Sequence, residues 1–283
     1  MYSYRKGSTA SKILVYSILL LYLVITFLPL YWIFSTTFKS ASETLSFPPS
    51  LIPKNFTLAN IVEIFTSSKV FGFRPFLNSV IIALGTSLIA VVLSFLAGFG
   101  FSRYRFPGRD ILLLAMLFIN LLPGLAMMIP MFRLFSIYHL YDTYLGLILL
   151  HGIRTAPFCA WLMKGYLDTI PVELEESAMI DGCSPRQAMR KIIAPLAAPG
   201  LAAVAVFGFR HAWNDFTAAL ILTTSQKIRP YTVAMYRFVG EQGEVEWQLI
   251  SAAAFISIVP VIISFAIFQK YFVTGLTGGA VKA

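Results

Sequence analysis

Charged residues make up 12% of this 283-residue chain, about half the share of about 25% usual in a soluble domain. Acidic residues are scarcer still, with 13 Asp and Glu against 22 Lys and Arg. The basic residues are spread over many short segments and form no block or stripe, so the formal charge of +9 does not mark a nucleic-acid surface. There are 2 cysteines, Cys159 in an apolar run and Cys183 in a polar island, which leaves no disulfide framework and no metal spacing. His139, His151 and His211 are too scattered to form a ligand set. No Gly-Lys pair occurs anywhere, which excludes the Gly-x-x-x-x-Gly-Lys-Ser/Thr phosphate loop. No Ser/His/Asp set or carboxylate pair stands at an arguable spacing, so neither ATP hydrolysis nor other catalysis is expected of this chain. No internal repeat or low-complexity tract is evident, and a self-sufficient secondary transporter with an inverted repeat is disfavoured.

Apolar residues fill the space that charge leaves. They make up 58% of the sequence, and its mean hydropathy is +0.76. A helix needs about 20 mostly apolar residues to cross the hydrocarbon core of a membrane. Six segments meet that length: Lys12–Phe38, Phe76–Phe101, Ile111–Met131, Tyr144–Lys164, Gly200–Thr223 and Leu249–Phe272. The first is too long for a signal-peptide core, and Pro29-Leu30-Tyr31-Trp32 is no small-residue cleavage site. The expected protein is therefore an all-α integral membrane protein with six transmembrane helices.

Basic residues set the expected orientation. With the N-terminus inside, the inner segments hold Arg5, Lys6, Lys12, Arg103, Arg105, Arg109, Lys164, Arg186, Arg190, Lys191, Lys270 and Lys282. The outer ones hold Lys39, Lys54, Lys69, Arg74, Arg133, Lys227, Arg229 and Arg237. The inner set is larger and lies closer to the span ends, so both termini are expected in the cytoplasm. The divisions are then a tail at 1–11, a span at 12–38, an outer segment at 39–75, a five-span core at 76–272 and a tail at 273–283. Prolines 48, 49 and 53 break the outer segment, and Thr57 or Asn60 starts a short surface helix through Ile61, Ile64 and Phe65. The loop at 224–248, with Gly240 and Gly243, is also outer.

The polar island lies within 165–199. Pro171 suits a first helical turn, and Glu173, Glu175 and Glu176 sit near the positive end of the helix dipole. Leu174, Ser177 and Ala178 share a narrow face that another protein can approach. Gly182 stops this helix. Ser184, Pro185 and Gln187 start a second as a capping box, with Ala188, Met189, Ile192 and Ile193 as its apolar side. Pro195 and Pro199 end it before the fifth span. Physically the result is either an interfacial linker or a docking bracket.

Four sequence motifs decide for docking. Glu176-Ser177-Ala178, Asp181-Gly182-Cys183 and Ala194-Pro195-Leu196 match, in order and spacing, the Glu-Ala-Ala…Asp-Gly-Ala…Leu-Pro pattern of the cytoplasmic "EAA" loop. Departures fall at Ser177, Cys183 and Ala194. Arg103-Tyr104-Arg105-Phe106-Pro107-Gly108, Trp213-Asn214-Asp215-Phe216 and the tail Gly275–Lys282 extend the likeness over nearly the whole chain. The sequence resembles the permeases of ABC importers, in particular the smaller, six-span permease of the maltose-type, carbohydrate-importing branch.

The resemblance implies the type I ABC importer permease fold and a prokaryotic plasma-membrane protein that forms half of a translocation pathway for a sugar. The implied partners are a second permease subunit, two ATP-binding subunits that hold ATP and Mg, an extracytoplasmic substrate-binding protein and membrane lipid. No cofactor is implied on this chain itself. The EAA helix would rest in a cleft of the ATPase, a helix-in-groove contact. Glu175, Glu176, Ser177, Ala178, Asp181, Gly182 and Pro195 would be the ATPase-coupling residues. A polyol, glycerol phosphate or peptide is the alternative cargo.

Polar groups inside spans are the pathway candidates, because they are costly in lipid. Asn120, Pro123 and Gly124 interrupt the third span, with Pro130 beyond, and His151 and Arg154 lie in the fourth. Arg210, His211, Trp213, Asn214 and Asp215 lie in the fifth. There His211 and Asp215 are one turn apart and can pair, while Trp213 and Asn214 offer a stacking surface and an amide to a sugar ring. Each set either lines a pathway or ties helices together.

Overall fold

The computed structural model describes residues 9–67, 72–121, 123–236, 238 and 245–280. The expectations for Arg5, Lys6, Lys69, Arg237, Gly240, Gly243 and Lys282 lie outside these residues. Among the described residues every regular element is helical. In chain order they are α1 (Thr9–Thr37), α2 (Ala41–Thr44), α3 (Ala59–Thr66), α4 (Arg74–Arg103), α5 (Arg109–Ile119), α6 (Gly124–Ile137) and α7 (Tyr144–Leu167). Then come α8 (Glu173–Ile180), α9 (Pro185–Ala188), a π-helical turn (Met189–Ile193), α10 (Ala194–Leu196), α11 (Ala198–Trp213), α12 (Thr217–Leu222), α13 (Tyr231–Met235) and α14 (Trp247–Ala280). They fall into two compact units, one drawn from Met1–Gly72 and Phe238–Ile258, the other from Phe73–Arg237 and Val259–Ala283.

In the first unit, α1 is apolar on every side and exposes its side chains from Ile13 to Tyr31 within this chain. A helix of that kind needs lipid or another protein as solvent. Its C-terminal turn is held differently. Buried Asn60, on α3, donates from Nδ2 to the carbonyls of Thr37 (2.7 Å) and Lys39 (2.8 Å), satisfying groups that a helix end leaves unpaired. Lys39 Nζ donates to the Ser50 carbonyl and lies over the Trp32 ring. Phe38 stacks on Phe56 and meets Phe255 edge-on. The expected surface helix is α3, with Ile64 fully buried.

The second unit is built on α4 and α7 running side by side, with α11 packed across both. One buried cluster includes Ile82, Leu147, Leu150 and Trp213, and another Ala90, Cys159, Met163 and Ile193. α4 approaches the backbone of α7 at Gly98, where an added Cβ would fall 2.9 Å from the Met163 Cβ and 3.0 Å from the Lys164 backbone nitrogen. Backbone cannot retreat as a flexible side chain can. Gly98→Val is therefore expected to cost about 1–3 kcal/mol by overpacking, read as a lowered unfolding temperature in detergent.

Among the described residues four helices are long and apolar enough to cross a membrane: Ser11–Thr37, Arg74–Arg103, Tyr144–Leu167 and Trp247–Gln269. Two further stretches qualify only as bent pairs. The third expected span is α5 and α6, bent by 92° about the Asn120–Gly124 interruption, where Pro123 lacks an amide hydrogen. The fifth differs from the continuous Gly200–Thr223 helix expected. It ends at Trp213, opens at Asn214–Phe216 and resumes as α12. Asn and Asp side chains compete with the helix for backbone hydrogen bonds, and here Asp215 Oδ2 accepts from the Ala219 amide (2.9 Å). Pro195 also differs from expectation. The preceding turn widens to π-helix, which spares the i−4 carbonyl the clash with the proline ring. The chain then continues as α10 and turns only at Ala197, leading into α11 at a 75° bend.

Candidate functional site

The bracket formed by α8 and α9 is built by local chemistry. Pro171 precedes α8, and helix begins two residues later, with Glu173, Glu175 and Glu176 in the first turn. At the other end Gly182 takes φ +90°. The Gly182 amide donates to the Met179 carbonyl (3.1 Å) and the Cys183 amide to that of Ala178 (2.9 Å). This is the Schellman pairing, which needs a left-handed residue at the position of Gly182. Two residues on, the Ser184 amide donates to Gln187 Oε1 (2.8 Å) and the Gln187 amide to Ser184 Oγ (3.4 Å), the expected capping box. Ala188 and Ile193 are buried beneath it.

The faces of α8 divide differently from expectation. Ala178, expected on an approachable surface, is turned inward and is 8% exposed. A helix of eight residues must bury something to hold its place, and the side with the smallest residue seats it closest. The outward face carries Glu173, Leu174, Glu176, Ser177, Met179, Ile180 and Asp181, with Ile180 86% exposed. Glu175 is not free on that face. Its Oε1 accepts from Arg103 Nε, and the two side chains are 12% and 8% exposed. Gly182 and Pro195 are exposed.

Beside this contact, Asp168 accepts from Ser102 Oγ (2.7 Å) and Lys164 Nζ (2.7 Å). Burial pushes the Asp168 carboxyl up, but those hydrogen bonds and the charges of Lys164 and Arg103 outweigh it and hold the pKa below the ordinary value. A lowered folded-state pKa contributes stability above the unfolded value that is lost as pH falls through the folded one. Unfolding in detergent is expected to ease as pH falls below about 4, and Asp168→Asn to flatten that part of the profile.

A second polar group lies within the apolar helices. His151 and Arg154 are near the middle of α7. His151, 1% exposed, places Nε2 3.7 Å from Asp215 Oδ2 and packs edge-on to His211 with ring centroids 5.6 Å apart. Asp215 thus faces His151 of α7 as well as its neighbour His211, a contact that spacing within the fifth span does not suggest. Arg154 reaches the break in the third span, where a Cβ at Gly124 would lie 2.8 Å from its guanidinium. Arg210 lies over the Phe207 ring. Asn120 and Asn214 are exposed. Trp213 is not: it is 1% exposed, stacked on Phe209 and edge-on to Phe76. The stacking face expected for a sugar is occupied by the protein's own phenylalanines.

Sequence reasoning did not find the Arg103–Glu175 pair or the His151–Asp215 pair. The only signal available was the presence of opposite charges at the ends or middles of different apolar runs.

Residues 90–278 match the family model described as binding-protein-dependent transport system inner membrane component. The chain is 38% identical over 256 residues to the trehalose transport system permease protein SugB of Mycobacterium tuberculosis, covering 90% of this chain and 92% of that protein. It is 34% identical over 260 residues to the trehalose/maltose transport system permease protein MalG of Thermococcus litoralis, with 92% of each covered. Its fold is similar to a chain of a bacterial ABC transporter involved in the import of the acidic polysaccharide alginate, with a TM-score of 0.81 at 22% identity over 94% of this chain and 99% of the other.

Proposed function

The chain belongs to the family of binding-protein-dependent transport system inner membrane components, and from that premise we propose that it is a permease subunit of an ATP-driven sugar importer. It forms half of a translocation pathway with a second permease, above two ATP-binding subunits that carry ATP and Mg, and receives solute from an extracytoplasmic binding protein. With α5–α6 and α11–α12 each read as one interrupted span beside the four long apolar helices, the proposed topology has six spans and both termini in the cytoplasm. The sugar class rests on the trehalose and maltose permeases it is similar to.

The observation that carries this proposal is the bracket. A short helix between two apolar segments exposes acidic residues beside Leu174, Met179 and Ile180, an arrangement suited to a groove on a water-soluble partner. Glu176, Ser177 and Asp181 supply the polar part of that contact. Gly182 shapes its turn, and Ala178 and Pro195 act inside the bracket. ATP closure of the partner then moves α8 as a rigid body and opens the pathway to the other side. Asn120, Gly124, Asn214 and Asp215 are the proposed pathway positions.

Right-side-out vesicles bearing the whole assembly test this directly. With ATP trapped inside, they are expected to accumulate labelled trehalose or maltose supplied with the binding protein, unaffected by ionophores. Uptake that persists without ATP and collapses with the ion gradient would contradict the proposal.

A further inference from the structure

Arg103 is the last residue of α4, and its guanidinium reaches well beyond that helix. Nε donates to Glu175 Oε1, in the first turn of α8. Nη1 donates to the carbonyl of Leu167, the last residue of α7 (3.1 Å), and to Ser102 Oγ (3.1 Å). Nη2 donates to the Ile170 carbonyl (3.0 Å), in the link from α7 to α8. One side chain therefore ties together the ends of two long helices, the link between α7 and α8, and α8 itself. A guanidinium this buried is stable only with its donors engaged, and its fixed fork suits one arrangement of acceptors where a lysine's single point charge does not. One turn and a half earlier, Gly98 lets α4 and α7 close to backbone contact, so these two helices are already fixed to each other where Arg103 reaches α8.

We propose that Arg103, through Glu175, is the positioning residue that makes α8 move as one body with α4 and α7, so that displacement of the bracket becomes displacement of the membrane helices. This rests on the functional reading above and assigns Glu175 an internal role in place of a contact with the ATPase. Loss of the pair would leave α8 seated by Ala178 and able to dock, but tied to α4 and α7 only indirectly, through the 168–172 link and through α9 and the π-helical turn.

The test uses the whole assembly co-purified with this chain in lipid nanodiscs, with Cys159→Ala and Cys183→Ser as background and Leu121→Cys, at an exposed position beside the break in the third span, as reporter. Two quantities are read: ATP hydrolysis, and the change in maleimide labelling of the reporter when ATP and vanadate are added. Arg103→Gln and Glu175→Gln are each expected to keep most hydrolysis and to reduce the nucleotide-driven labelling change by about tenfold. The double variant is expected to be no worse than either single one, as for residues acting through one contact. Arg103→Lys, which keeps the charge and loses the fork, is expected to fall between. A full labelling response in both single variants, or losses that multiply in the double variant, would overturn the proposal while leaving the transport reading intact. A reporter that ignores nucleotide with Arg103 and Glu175 unchanged would overturn the transport reading, and this proposal with it.

Discussion

Replacing Ala178 with arginine is expected to abolish ATP-dependent uptake while the chain still inserts in the membrane. Ala178 is the buried residue of α8, and its carbonyl accepts the Cys183 amide that closes the turn. A long cation there either stays buried without a partner, at a cost of several kcal/mol, or lifts α8 off the α9 and π-helical segment. Either outcome misplaces the outward face that carries Glu176 and Ile180. Gly182→Pro is expected to do the same from the other end of α8. Proline holds φ near −65° and donates no amide hydrogen, a conflict worth about 3 kcal/mol or more, whereas Gly182 has φ +90° and an amide bonded to Met179. Gly182→Ala separates shape from bulk. Nothing lies within 4 Å of its added Cβ, so only the left-handed backbone is penalised, by about 1–2 kcal/mol, and partial uptake is expected. Measuring uptake beside membrane-inserted protein checks the series. Full uptake with Ala178→Arg would remove the bracket from the account.

The second large effect is expected at Asp215. Its carboxylate caps α12 through the Ala219 amide and faces His151, and among the described residues it is the one acid placed with His151, Arg154, Arg210 and His211. Asp215→Ala loses both the cap, worth about 0.5–2 kcal/mol, and the charge. Asp215→Asn keeps an oxygen for the cap and loses only the charge. If the charge serves the pathway, Asn should leave thermal stability near that of the unaltered protein and still lower uptake by about an order of magnitude, roughly 1.4 kcal/mol in the barrier. Alanine should lower both. If Asn supports full uptake, Asp215 is a helix cap and nothing more. Stability in detergent and uptake in vesicles, measured on the same preparations, separate the two.

How far the structure was legible in the sequence depended on how local each feature is. Gly182 as a stop and Ser184 with Gln187 as a start were readable because the interacting groups lie within a few residues. The Asn120–Gly124 interruption was readable too, from Asn120, Pro123 and Gly124 falling together, whereas Pro130 and Pro157 each stand alone inside continuous helices. The break at Asn214 had a signal, an Asn-Asp pair, but the apolar run around it masked that signal. Arg103 and Glu175 are 72 positions apart, and no local pattern says that the ends of two helices bring them together. His151 and Asp215 are likewise distant in sequence, and spacing alone favoured the nearer His211. The direction of Ala178 was ambiguous for another reason. A small residue permits close approach equally well from inside or outside, and only the seating of α8 on its neighbours decides. Trp213 shows the same limit, since an aromatic face offered to a ligand reads in sequence like one stacked on Phe209.

The central claim is that this chain works as one subunit of an ATP-driven assembly. It is tested most directly by tagging the N-terminus, purifying the chain from its native membrane in mild detergent and identifying what accompanies it. The account predicts an ATP-binding subunit and a second, related permease. A chain recovered alone, which still transports solute without ATP after reconstitution, would contradict it.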